Sequence, residues 1–136
     1  MKTLLCCFLW ALVTFWNDDG QPRTEQTRLI IYRQREFGGN EYTIKINDKK
    51  VGTLPTNRYL QLDLPAGRIK IESIKDYFSE NQTLWLSTEP GRTYYVKAVE
   101  EIDFMTRTLL LAPVADAQAQ RDLQRVKPQA PTTQQP

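Results

Sequence analysis

The sequence contains no histidine, and both of its cysteines, Cys6 and Cys7, lie near its beginning. Histidine is the most common general base near neutral pH, and the cysteine thiolate is a common nucleophile. Zinc sites are built chiefly from the same two residue types. We therefore predict that the chain is not an enzyme and that it holds no catalytic residues, no cofactor and no metal ion.

Further catalytic and phosphate-binding motifs are also missing. None of the three serines, Ser73, Ser79 and Ser87, lies in the Gly-x-Ser-x-Gly pattern that exposes a nucleophile on a strand-to-helix turn. Gly38-Gly39 stands alone and leads into no helix, so it does not indicate a phosphate-binding loop.

Carboxylates are the chemistry that remains. Glu100, Glu101 and Asp103 lie together at one predicted turn. A pair of carboxyl groups can hydrolyse glycosides, so a carboxylate-based hydrolase is an alternative function. Acidic side chains at an exposed turn are more often simply solvated.

The charge of the chain is small and evenly distributed. Its 18 basic and 16 acidic residues give a formal net charge of +2. Binding to nucleic acid depends on a clustered basic face, and we expect no nucleic acid among the partners.

Residues 1–16 differ in kind from the rest. Lys2 is followed by an apolar run from Leu4 to Trp16, which is typical of a secretory signal peptide. The run is shorter than the roughly 20 residues of a membrane-spanning helix, and no small-x-small cleavage site follows it. A short uncleaved membrane anchor and lipid attachment at Cys6 or Cys7 are the alternatives, and we predict an exported protein of the periplasm or envelope.

The centre of the chain carries the pattern of short strands. A polar linker is predicted over 17–27, and from residue 28 apolar residues alternate with polar ones, as in Tyr59–Leu64. Turn residues separate the runs, and Leu60–Ser73 has the pattern of a hairpin. With about seven or eight strands at this spacing, 28–113 is predicted to form an antiparallel β-sandwich of immunoglobulin-like or transthyretin-like architecture. Six leucine and isoleucine side chains are predicted to be buried in it: Leu60, Leu62, Ile69, Ile71, Leu84 and Leu86.

The end of the chain changes composition twice. Residues 114–127 favour a helix, with a narrow apolar stripe formed by Ala112, Ala115, Ala119, Leu123 and Val126. Residues 128–136 contain only Pro, Gln, Ala and Thr, a composition that predicts a disordered tail.

Aromatic residues are the candidates for a binding surface. If Leu84 and Leu86 face the core, Trp85 between them faces outward. Tyr94 and Tyr95 are adjacent, so one of them also points away from the core. An exposed patch of Trp85, Tyr94 and Tyr95 would suit contact with a glycan or a protein. The alternative is that a loop or the C-terminal helix covers these rings.

Several of the turn and strand motifs resemble a known family. Asp48–Pro55, Tyr59–Leu62, Leu64–Gly67 and Glu89–Val96 are similar to the bacterial domain-of-unknown-function family 2846 and to the wider PEGA-like group. The resemblance covers about residues 28–113 and rests on turn and core features. It implies a short β-sandwich in a bacterial envelope protein, often a lipoprotein, and it carries over no catalytic residues.

The sequence therefore predicts a non-catalytic envelope module that contacts a protein or a glycan, or that stiffens an assembly. The hydrolase is one alternative. A chaperone or pilus-type subunit that binds by strand addition at an open sheet edge is a second. The sequence leaves the oligomeric state open.

Overall fold

The computed structural model describes residues 25–37, 39–75 and 82–130. The predicted signal segment with Cys6 and Cys7, most of the linker and the end of the predicted tail lie outside the described residues. The elements are β1 (Gln26–Arg33), β2 (Tyr42–Ile46), β3 (Lys49–Leu54), β4 (Arg58–Pro65), β5 (Arg68–Ile74), β6 (Gln82–Ser87), β7 (Thr93–Ile102), β8 (Arg107–Val114), α1 (Asp116–Leu123) and β9 (Lys127–Pro128).

The strands form two sheets, which confirms the all-β sandwich with one C-terminal helix. The five-stranded sheet has the order β8-β7-β1-β4-β9, and the four-stranded sheet has the order β3-β2-β5-β6. Two sheets of this kind pack face to face and enclose one main core between their inner faces.

The sequence pattern predicted antiparallel pairing throughout the sandwich, and this prediction is wrong for two pairs of strands. β1 pairs in parallel with β7, and β9 pairs in parallel with β4. The predicted hairpin of β4 and β5 is wrong, because β4 lies in the five-stranded sheet and β5 in the four-stranded one. Gly67 turns the chain between them with a φ of 134°, a value that L side chains rarely adopt. Alternating apolar residues fit a hairpin and a crossover between sheets equally well, so the pattern alone did not separate the two.

Other turns follow the sequence prediction. Asn47 and Asp48 connect β2 to β3 with φ values of 49° and 69°. Asn and Asp tolerate this left-handed region, and a two-residue turn with both φ values positive matches the twist of a hairpin. The predicted pairing of β7 with β8 is also confirmed.

The main core holds the aliphatic residues that face inward from both sheets. Leu60, Ile69 and Ile71 are buried as predicted. Leu62, Leu84 and Leu86 are only partly buried, although they pack against the same core. Leu84 and Leu86 lie on β6, an edge strand of the four-stranded sheet, which has a neighbouring strand on one side only.

A second, smaller core lies on the outer face of the five-stranded sheet. Ala119 of α1 and Val126 are buried there against the sheet. The helix is shorter than predicted, since β8 extends to Val114, and Ala112 and Ala115 of the predicted stripe are exposed. Within the described residues, no helix is long and apolar enough to cross a membrane.

The predicted tail does not begin at residue 128. Lys127 and Pro128 form β9, and the Gln129 N–H donates a hydrogen bond to the Tyr59 carbonyl at 2.8 Å. The Lys127 N–H bonds to the Asn57 carbonyl in the same ladder. The first residues of the predicted tail therefore belong to the edge of the five-stranded sheet.

Candidate functional site

Trp85 lies on the outer face of the four-stranded sheet. It points away from Leu84 and Leu86, as the alternation along β6 predicted, and its side chain is 52% exposed. The Arg68 guanidinium carbon lies 4.4 Å from the centre of the indole ring, and the Lys70 amine lies 5.9 Å from it. The indole ring is therefore in cation–π contact with Arg68 and Lys70, and about half of the residue remains open to solvent.

The two tyrosines do not join Trp85 in one surface. Tyr94 is half-buried against the main core, and its hydroxyl accepts a hydrogen bond from the Glu89 N–H at 2.8 Å. Tyr95 faces the opposite side, where the helix covers it, and its hydroxyl accepts a bond from the Gln120 amide at 2.8 Å. Trp85, Tyr94 and Tyr95 were predicted to form a binding surface, and of these three only Trp85 is exposed to solvent.

The predicted carboxylate cluster is divided between two faces of β7. Glu100 is partly buried and accepts hydrogen bonds from the Tyr42 hydroxyl at 2.7 Å and from the Asn40 amide at 3.4 Å. Burial and the bond to Glu100 raise the pKa of Tyr42, which therefore stays protonated as a donor at neutral pH. Glu101 is the next residue along the strand and is exposed on the other face. The two carboxylates therefore do not face each other as a catalytic pair.

A buried arginine organises the end of the sandwich next to Glu100. Arg33, the last residue of β1, is fully buried. Its Nη1 donates to the carbonyls of Asn40 at 2.6 Å and Leu54 at 2.9 Å, and its Nη2 pairs with the Glu36 carboxylate at 2.7 Å. The guanidinium also lies 5.4 Å from the centre of the Tyr42 ring. We call these residues the Arg33 cluster.

The Arg33 cluster fixes the loop between β1 and β2 against β7. The second oxygen of Glu36 accepts a hydrogen bond from the Glu100 N–H at 3.0 Å. Gly39 approaches Thr56 and Arg33 so closely that an added Cβ would collide with the Thr56 side chain. The loop is therefore held in place through buried polar contacts and a close backbone approach.

This arrangement brings four large apolar side chains to one end of the molecule. Ile102 is 61% exposed, and Phe37, Phe104 and Met105 are each at least 88% exposed. Phe37 follows Glu36 in the tethered loop, whereas the other three lie at the turn between β7 and β8. We call these four residues the apolar tip. Large exposed apolar side chains at one end of a domain are candidates for contact with another molecule.

The charges around the apolar tip are mainly acidic. Glu101 and Asp103 are exposed between the apolar residues, and Glu41 is exposed in the neighbouring loop. Arg35 and Arg107 are the exposed basic residues in the same two segments. The formal sum over these three acidic and two basic side chains is −1.

The sequence pattern did not identify the apolar tip as a site. The acidic residues near the turn between β7 and β8 predicted a carboxylate cluster. The same segment also contains Ile102, Phe104 and Met105. Apolar residues placed in a turn, where solvated residues are usual, were the signal available in the sequence. The part played by Phe37 depends on the tether from Glu36 to β7, which the local pattern does not show.

Comparison with protein-family models, with curated proteins and with solved structures finds no match for the chain. In the part of the chain that the structure describes, no group of three or more His, Cys, Asp or Glu side chains is placed to hold a metal ion. The class of the protein therefore rests on its fold, a small β-sandwich that presents exposed apolar and aromatic surfaces.

Proposed function

We propose that this protein is a non-catalytic binding module of the bacterial cell envelope, and that it contacts a partner protein through the apolar tip. The single observation that supports this function is the exposure of Phe37, Ile102, Phe104 and Met105 together at one end of a rigid sandwich. Keeping such side chains in water is unfavourable, and their burial in a complex supplies about 25 cal/mol for each Å² removed from water.

The shape and the charge of the tip favour a protein partner over a lipid surface. The apolar residues protrude from two neighbouring loops, which suits insertion into a concave apolar site. Glu101 and Asp103 lie between them, and a negative surface is repelled by the anionic lipids of a membrane. We therefore expect a partner with an apolar cleft whose rim carries Lys or Arg side chains.

The position of the tip agrees with this proposal. β1 begins at Gln26 and runs toward the tip, where it ends at Arg33, so the chain enters the sandwich at the opposite end. The first described residues and the apolar tip therefore lie at opposite ends of the sandwich.

Trp85 supports a second candidate function, the binding of a glycan. Sugar rings stack on exposed aromatic faces, and the Arg68 guanidinium over the indole offers donors to hydroxyl or acidic groups. This contact lies on the outer face of the four-stranded sheet, so it is separable from the tip by mutation.

Hydrolysis and strand addition receive less support from the fold. A hydrolase needs two carboxyl groups that face one substrate, whereas Glu100 and Glu101 point to opposite faces of β7. Strand addition needs a long open edge, and β3, one of the four edge strands, carries the exposed charges of Lys49 and Lys50 and a register shift at Val51. Charges and bulges at a sheet edge oppose pairing with another chain.

Partner contact at the tip is testable by site-specific photo-cross-linking. We expect a photoreactive phenylalanine analogue at Phe104, in the full chain made in bacterial cells, to form one discrete protein adduct. Replacing both Ile102 and Met105 with serine should reduce that adduct at least tenfold, because losing apolar anchors of a binding site costs more than about 1 kcal/mol each. The cross-linked partner peptide should be apolar and flanked by Lys or Arg.

The control places the same photoreactive group at Gln61, which is exposed on β4. It should give no such adduct, and the serine variant should keep its melting temperature because the replaced side chains are exposed. Adducts only with lipid, only with a second copy of the chain, or equally from Gln61 would contradict the proposal.

The envelope location rests on residues 1–16 and on the resemblance to envelope proteins, and it has its own test. A reporter enzyme that is active only outside the cytosol should become active when it is fused after residue 16. Replacing Cys6 and Cys7 with serine should leave membrane retention unchanged, because the residues around them fit lipid attachment poorly. An inactive reporter, with the protein recovered from the cytosol, would rule out the envelope role.

A further inference from the structure

A polar groove lies between the end of α1 and the loops that flank β1 and β4. Its volume is about 610 Å³, which is within the usual size of small-ligand sites. Three arginines, three amide side chains, one aspartate and one valine line it: Gln34, Arg35, Asn57, Arg121, Asp122, Gln124, Arg125 and Val126. We call this the arginine groove.

The three guanidinium groups of the arginine groove are not neutralised by neighbouring carboxylates. Within the described part of the chain, Arg35, Arg121 and Arg125 form no salt bridge. Asp122 is the only acidic residue in the lining. Its Oδ2 atom pairs with the Lys97 amine at 3.5 Å and accepts a hydrogen bond from the Tyr32 hydroxyl at 2.7 Å.

The helix dipole does not account for all three arginines. Basic residues near the end of a helix stabilise it, and Arg121 lies in the last turn of α1. Arg35 lies in the loop after β1, far from α1 in the sequence, and the fold brings it to the same groove. Arginines from the loop after β1 and from the end of α1 therefore line the same groove.

The lining also indicates the class of ligand. Guanidinium groups bind phosphate and carboxylate through paired, parallel hydrogen bonds. The amides of Gln34, Asn57 and Gln124 each offer a donor and an acceptor, as hydroxyl groups require. Val126 is the one aliphatic residue of the lining, so the groove offers little surface to an apolar ligand.

We propose that the arginine groove binds an acidic saccharide, a hydroxyl-rich ligand that carries a phosphate or carboxylate group. Arg35 lies in the same loop as Phe37, but no residue of the apolar tip and no part of Trp85 lines the groove, so the proposal does not depend on the function assigned to either.

The proposal can be tested with the full chain by isothermal titration calorimetry at fixed ionic strength. Glucose 6-phosphate and glucuronate are the probes, and glucose and inorganic phosphate are the comparison ligands. We expect the acidic sugars to bind at least tenfold more tightly than glucose and several-fold more tightly than phosphate. Combined replacement of Arg35, Arg121 and Arg125 with glutamine should weaken their binding at least tenfold.

A matched variant distinguishes specific binding in the arginine groove from a general effect of the protein's positive charge. Replacing Arg28, Lys50 and Arg92 with glutamine removes the same three charges from exposed positions elsewhere and should change the affinity by less than twofold. Equal losses in the two triple variants would overturn the proposal, as would the absence of binding by either acidic sugar. Equal affinity for phosphate and for glucose 6-phosphate would overturn the saccharide assignment. Far-ultraviolet circular dichroism of both variants checks that each remains folded.

Discussion

Replacing Arg33 with methionine is expected to lower the free energy of unfolding by about 3–5 kcal/mol, the usual result of removing one partner from a buried ion pair. The change leaves the Glu36 carboxylate without its counterion and the carbonyls of Asn40 and Leu54 without a donor. Chemical denaturation with urea, followed by circular dichroism, measures the loss.

Two further variants distinguish the Arg33 cluster from an ordinary ion pair. Arg28 lies on the same strand and pairs with Asp63, but both side chains are about half exposed. Its replacement with methionine should cost less than about 1 kcal/mol. Adding Glu36→Gln to Arg33→Met should recover part of the loss, because a neutral amide replaces the unpaired carboxylate. Equal costs at Arg28 and Arg33 would show that the buried cluster stabilises the fold no more than an exposed ion pair does.

Replacing Tyr95 with alanine is expected to destabilise the domain by about 3–5 kcal/mol, the range for truncating a large buried aromatic side chain. Its ring fills the small core between the five-stranded sheet and the helix, where Ile30, Tyr32 and Ala119 surround it. Trp85→Ala should cost less than about 1 kcal/mol, because half of that ring is already in water. Melting temperatures and urea midpoints of the two variants measure the difference.

The Trp85→Ala variant also tests whether Trp85 binds a glycan. Trp85→Ala should reduce co-sedimentation of the protein with purified cell-wall glycan while leaving its melting temperature nearly unchanged. Phe104→Ser serves as the matched control, since it also removes an exposed aromatic ring but lies at the apolar tip. Loss of several kcal/mol of stability in Trp85→Ala, or unchanged sedimentation, would remove Trp85 from the candidate site.

The local parts of the fold were predictable because they depend on neighbours in the sequence. Alternation of apolar and polar residues predicted most of the strands, and it predicted correctly that Trp85 faces away from the core. Asn47 and Asp48 predicted a turn because their side chains tolerate the left-handed conformation. These features need only a few consecutive residues, so a single sequence is enough to show them.

The sequence by itself determined the class of this protein's fold: a small all-β sandwich with one terminal helix and an outward-facing Trp85. The tertiary structure decided how distant segments meet. The parallel pairing of β1 with β7 and the crossover from β4 to β5 depend on which sheet each strand joins, and alternation carries no information about that choice. Long-range packing also buried Tyr95 under the helix. It joined Glu36 to β7, so that Phe37 lies at the same end of the sandwich as the turn between β7 and β8, and it brought Arg35 to the two arginines near the end of α1. Each of these contacts joins segments far apart in the chain, so no local pattern contains them.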